Sequence, residues 1–174
     1  MLSIAPLLLA GLFFAPPLPF EPLSEADVLD APTRHIRSTD RSVRNLLRRG
    51  FRESATLASL VTRLQRSDVI IYIEEVAHLP GTLEGRMMML PRVHGYRYVR
   101  IQLALRGSPK EAIVVLAHEL RHAVEVADAV DVVDGAGLSR LYTKIGVRIS
   151  ANVYDTDAAQ QTGRTVRREL GLTS

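Results

Sequence analysis

Residues 108–127 read SPKEAIVVLAHELRHAVEVA, and the fold is decided by how this stretch is read. Ser108-Pro109-Lys110-Glu111 is a capping box with proline at the first helical position, a strong helix start. Ile113, Leu116, Ala117, Leu120, Ala123, Val124 and Ala127 recur at helical spacing, which predicts a helix over Pro109–Ala127 with one apolar face. Inside it stands His118-Glu119-Leu120-Arg121-His122, the H-E-x-x-H pattern. Histidines at i and i+4 project from one face, one turn apart, so both imidazoles can meet a single zinc ion. Glu119 is displaced by one position around the helix, outside the ligand set but near the metal. From there it can take a proton from zinc-activated water and pass it to a leaving amine.

The flanking elements set the fold class. Ser38 or Thr39 can cap a helix that runs to Arg49 and stops at Gly50. A second helix is predicted over Glu53–Gln65, with Leu57, Leu60, Val61 and Leu64 facing inward. The period then changes. Asp68–Val76 is rich in β-branched residues and reads as a buried strand, Leu83–Leu90 (LEGRMMML) as a second, and Tyr96–Leu105 as a third. Turns are expected at His78–Gly81 and Pro91–Gly95. The methionine run reads first as core, with an adaptable binding surface as the functional alternative. This order predicts an α+β domain with N-terminal helices and a small antiparallel sheet of about three strands. The H-E-x-x-H helix follows, then a loop carrying Asp128, Asp131 and Asp134 and a short helix over Leu138–Ile145. A last helix is opened by Tyr154-Asp155-Thr156-Asp157-Ala158-Ala159 and runs to Leu170.

Length and composition narrow the classes. The 174 residues make one ordinary domain, and the absence of cysteine excludes a disulfide framework, a thiolate zinc site and a cysteine nucleophile. Aromatics are 5% and Trp is absent, which argues against nucleic acid held by stacked bases. The net charge is +3, and Arg34, Arg37, Arg41, Arg44, Arg48 and Arg52 recur every three or four residues. Those within the first helix share a face, so Arg34–Arg52 is a candidate contact for an anionic membrane surface, against the plainer reading of a solvated face. No charge precedes Glu21, and the apolar run Ile4–Ala15 has the length of a signal-peptide core. Residues 1–20 are therefore read as a signal peptide or apolar anchor, 21–37 as a linker, and 38–174 as the single domain. That makes the chain exported, either periplasmic or secreted, or tethered to a membrane by its N-terminal segment.

The stretch VVLAHELRHAV (114–124) resembles the active-site helix of the zincin metallopeptidases. The resemblance implies a minimal zincin-like domain that hydrolyses peptide or protein substrates, with zinc as cofactor, His118 and His122 as ligands and Glu119 as general base. Arg121 departs from the stricter zincin pattern, which keeps that position uncharged. A catalytic zinc needs a third protein ligand and an open position. Glu125 lies on the same stripe, but seven residues of helix put it about 10 Å along the axis from His118. It reads better as a group behind the ligands or as a surface charge. The metzincin solution, a helix-breaking Gly and a third His, has no counterpart here. Gluzincins take a Glu from a later helix and aspzincins an Asp. The segment YDTDAA (154–159) resembles that third-ligand helix, and also the (F/Y)-E-T-x-A-A segment of uncharacterised bacterial H-E-x-x-H proteins. By this resemblance Asp155 is the expected third ligand and Asp157 the alternative, while both also suit a helix start. The family's edge strand, which aligns an extended peptide, has candidates in 83–90 and 96–105. Tyr96, Tyr98, Tyr142, Tyr154, His78 and His94 are open as oxyanion donors. The expected function is a zinc-dependent metallopeptidase. A non-catalytic zinc-binding module and a basic membrane-associated protein stay open beside it.

Overall fold

The computed structural model describes residues 24–26, 34–150 and 153–173, so the export segment read in 1–20 and most of the linker lie outside them. The elements in chain order are β1 (Ile36–Arg37), α1 (Arg41–Glu53), α2 (Ala55–Gln65), β2 (Val69–Glu75), β3 (Gly85–Val93), β4 (Tyr96–Leu103), α3 (Pro109–Asp128), α4 (Gly135–Ile145), β5 (Val147–Ser150), β6 (Val153–Asp155) and α5 (Asp157–Glu169). The class is α+β, as the order of helical and alternating patterns predicted.

The sheet is mixed rather than antiparallel. Its strand order is β1-β2-β4-β3, with β1 parallel to β2, β2 parallel to β4, and only β3 antiparallel to β4. The reason lies in the connections. His94 and Gly95, both at positive φ (49° and 85°), fold β3 and β4 into a tight hairpin. Residues 76–84 are long enough to carry the chain from β2 past the place of β4 to the far edge. β3 continues through Pro91, where a turn was expected, because an edge strand can hold a proline whose nitrogen faces no partner. Ile36 and Arg37, read as linker, form a short strand instead. Ile36 is buried, and two residues are too few to show a period.

One face of the sheet is covered. Ile71 and Ile73 of β2 and Val99, Ile101 and Leu103 of β4 are buried with Leu57, Val61 and Leu64 of α2 and Ile113, Leu116 and Leu120 of α3. The first helix does not end at Gly50. It runs on to Glu53, because Gly50 is a close approach and not a stop: a Cβ there would lie 2.8 Å from Leu57 Cδ1. Its N-cap is Asp40, one or two residues beyond the expected Thr39 or Ser38. The capping box of α3 forms as read, with Ser108 accepting from the Glu111 amide and Glu111 accepting from the Ser108 amide.

At its other end α3 is held by Arg97, which is 1% exposed. Its guanidinium donates to the carbonyls of Val126, Ala127, Ala129 and Val132 and to both carboxylate oxygens of Asp68 (2.8 and 2.6 Å). These carbonyls belong to the last turn of α3 and to the loop that follows it, where the helix's own ladder runs out. α5 packs along α3, and Glu169 near its end accepts from the hydroxyls of Ser54 and Thr56 at the start of α2. Among the described residues no helix is long and apolar enough to cross a membrane.

Candidate metal centre

The centre forms where α3 meets the start of α5. His118 and His122 lie one turn apart with ring centroids 4.9 Å from each other. Asp155 is the last residue of β6, not the first turn of a helix, and the helix begins after it at Asp157. The β5–β6 hairpin was not expected from the sequence. It places Asp155 Oδ1 3.3 Å from His118 Nε2 and 3.7 Å from His122 Nε2. These three side chains offer one ligand atom each, all within 4.8 Å of one another, and could hold a metal ion. As the last residue of a strand, Asp155 brings its carboxylate close to both imidazoles.

Two of the three, His122 and Asp155, are held from behind. The Nδ1 of His122 donates to Glu125 Oε2 at 2.9 Å, which leaves Nε2 facing Asp155. The Thr156 hydroxyl donates to Glu125 Oε1 (2.7 Å) and accepts from the Ala159 amide as N-cap of α5. Thr156 thus ties the two helices together at the site. Asp155 Oδ1 accepts from the Thr156 amide (2.7 Å), and Oδ2 accepts from the Gln160 side chain (3.2 Å). Glu125 is 6% exposed and sits behind His122, which excludes the surface-charge reading. Arg121, the departure from the zincin pattern, is 3.8 Å from Glu125 and does not line the cleft, so its charge is directed to that buried carboxylate. Asp157 is exposed in the first turn of α5, where a negative charge suits the helix dipole.

The electrostatics follow from this packing. Burial lowers the His118 pKa, and the neighbouring His122 lowers it further. Burial alone would lower His122 too, but its hydrogen bond to Glu125 and the surrounding carboxylates raise it. For Glu125, burial opposes ionisation while the bonds from His122 and Thr156 outweigh it, so its pKa falls. Glu119 has no such partner: burial pushes its carboxyl up to about 7, with His122 opposing and Asp155 adding to the rise. Its side chain lies against the backbone of β3, where a Cβ on Gly85 would come within 2.4 Å of Glu119 Oε1.

The centre forms the floor of a cleft of about 650 Å³. β3 makes one wall and Leu138, Ser139 and Tyr142 of α4 the other, with Ile149, Val153 and Tyr154 of the hairpin at one end. Of the two candidate edge segments, β3 is the edge and β4 is interior, paired on both sides. Of the six candidate oxyanion donors, Tyr142 and Tyr154 line the cleft and Tyr96, Tyr98, His78 and His94 do not. The Tyr142 ring stands edge-on to His122 at 5.3 Å and stacks with Tyr154 at 6.5 Å. Burial pushes its phenol pKa upward, with Glu125 and Glu119 adding to the rise. Thr156 and Gly85 escaped the sequence reading, although a Thr ahead of Asp-Ala-Ala is an N-cap signal.

The arginine series does not converge on this centre. Arg37 donates to the Tyr72 hydroxyl, Arg44 donates to the carbonyls of Ser38 and Thr39, and Arg52 lies 3.8 Å from Glu25. None of these arginines lines the cleft. What the fold and the site define is an α+β domain with a candidate metal centre on its central helix. No protein-family model matches the chain, and no curated protein or solved structure matches it, so the reading of the site rests on its own geometry.

Proposed function

We propose that the chain is a zinc-dependent metallopeptidase. The observation that carries the reading is the placement of His118, His122 and Asp155 around one point, beside the buried Glu119, on the floor of a cleft bordered by an edge strand. Two imidazoles and one carboxylate are a donor set suited to catalytic zinc, with a coordination position left for water. A zinc ion bound there would supply Lewis acidity toward a peptide carbonyl and make water a usable nucleophile at neutral pH. The rest is done by the chain. Glu125 and the Asp155–Thr156 contact hold the ligands in orientation. Glu119 takes the proton from the attacking water and hands it to the departing amine nitrogen. Among the described residues β3 is an edge with no strand on its outer side, and its backbone can pair with an extended peptide and so set the scissile bond over the centre.

The test has two arms. Zinc content of the purified chain should be near one per molecule and be lost in His122→Ala. Glu119→Gln should keep its zinc and lose roughly two to four orders of magnitude in peptide cleavage, the usual contribution of a general base. Unchanged cleavage in Glu119→Gln overturns the mechanism. Full zinc occupancy with no cleavage across a broad peptide library replaces the peptidase with a zinc-binding module.

A further inference from the structure

We infer that the cleft selects peptide segments whose side chains beside the scissile bond are bulky, apolar and uncharged. For its chemistry this rests on the peptidase reading of the same centre. The three successive methionines of β3, read from the sequence first as core, all line the cleft. Met87 and Met89 point to the helix-covered side of the sheet and are half-buried against the core, while Met88 is half-buried on the other side. The edge strand therefore presents thioether side chains on both sides of its backbone. Leu138 faces them from α4, and Ile149, 61% exposed on the β5–β6 hairpin, adds apolar surface at one end.

The charges on the cleft wall sharpen the argument. Outside the His118–His122–Asp155 group and Glu119, the one charged side chain among the described lining residues is Arg86. Arg86 is paired across the outer face of the sheet with Gln102, to which its guanidinium donates at 2.5 Å. A basic ligand side chain entering between β3 and α4 would lose water and meet no acidic group of the walls, and an acidic one would meet only Arg86, whose guanidinium is already held by Gln102 on the outer face, so either exchange is costly. A leucine- or methionine-sized group would bury apolar area against unbranched thioethers that adjust to its shape. The same adaptability predicts broad acceptance within the apolar class and rejection outside it.

The experiment uses the full chain, zinc-loaded, as Glu119→Gln so that the probes are not consumed. Fluorescein-labelled hexapeptides with two central leucines, two central aspartates or two central lysines are titrated and binding is read by fluorescence anisotropy. The leucine probe should bind at least about tenfold tighter than either charged probe, the scale of discrimination an apolar pocket supplies. Adding Ile149→Glu, at an exposed position where substitution is well tolerated, should weaken the leucine probe and strengthen the lysine probe. Equal affinities, tighter binding of a charged probe, or no measurable binding of the leucine probe overturns the proposal. The peptidase reading fails separately. If the leucine probe binds selectively while zinc-loaded wild type leaves all three probes intact, the cleft's preference stands and the peptidase does not. Cleavage of all three at equal rates has the reverse meaning.

Discussion

Helix α3 carries two buried polar clusters, and they differ in what is left over. At its C-terminal end Arg97 donates to four carbonyls and to Asp68, and the charge is fully answered. In its middle, two histidines, Glu119 and Asp155 are gathered with like charges close together and a carboxyl pushed up to about 7 by burial. The first cluster is finished by the chain itself. The second is arranged for something the chain does not supply. Buried charge that is satisfied reads as structure, and buried charge held short of satisfaction reads as a site.

The widest separation between the two should come from neutralising one member of each. Asp155→Asn should lower zinc affinity by more than the roughly hundredfold that loss of an outer contact costs, because here a ligand itself is lost. The stability of the metal-free chain should change by less than about 1 kcal/mol, since Asp155 is partly exposed and its amide replacement can still accept from Thr156. Zinc titration and urea unfolding in chelator measure the two quantities. A large loss of metal-free stability would make Asp155 a structural residue and collapse the contrast.

Arg97→Met should do the opposite. It takes the donor from the Ala127 and Val132 carbonyls and the cation from Asp68, and should cost about 3 kcal/mol or more of unfolding free energy. Zinc affinity of the folded fraction should move little, because Arg97 lies at the far end of the helix from His118. A zinc affinity that falls in step with stability would show the two clusters to be one cooperative unit.

The two clusters were not equally legible in the sequence. The helix and its His118–Glu119–His122 spacing could be read because a capping box and a 3.6-residue period are local signals. Asp155 was singled out through the likeness of YDTDAA to known segments and does lie beside His118 and His122, but its setting differs from the helix start expected. Asp155 ends a strand of three residues, and strands that short carry no period. The parallel pairing of β2 with β4 depends on where a nine-residue loop crosses, which no local pattern records. Arg97 shares its alternation with Val99, Ile101 and Leu103 and so had to point inward. What could not be read was its partners, which come from residues some thirty positions away.

Gly85 offers a finer cut at the open cluster. A methyl at this position would overlap the Glu119 carboxylate and its Cγ (2.7 Å), so the Glu119 side chain should move as a whole toward the cleft. Gly85→Ala should leave stability within about 1 kcal/mol, the scale of a strand glycine's own preference. Peptide cleavage should fall by about ten- to a hundredfold, as expected when a reacting group is displaced by about 1 Å. Zinc content should be unchanged. Cleavage at the wild-type rate would remove the clearance between β3 and Glu119 from the account.

The smallest effect concerns pH, and it separates the clusters by sign. The hydrogen bonds from Arg97 hold the Asp68 carboxyl below its ordinary 3.8, with burial opposing. A depressed carboxylate contributes stability above its unfolded pKa and loses it as pH falls through the folded one. Its contribution should therefore be intact above about pH 4 and fade below that. Because Asp68 is about half exposed, solvent screens the pair and the amplitude should be small. Glu119 runs the other way: its raised pKa lets the metal-free folded chain keep a proton that the unfolded chain releases, so stability falls as pH rises between about 4.5 and about 7. Asp68→Asn should thus flatten only the acid limb of a stability–pH curve recorded in chelator and leave the limb between pH 4.5 and 7 in place. If it flattens the upper limb instead, Asp68 and Glu119 titrate together, and the division between a closed cluster and an open one fails.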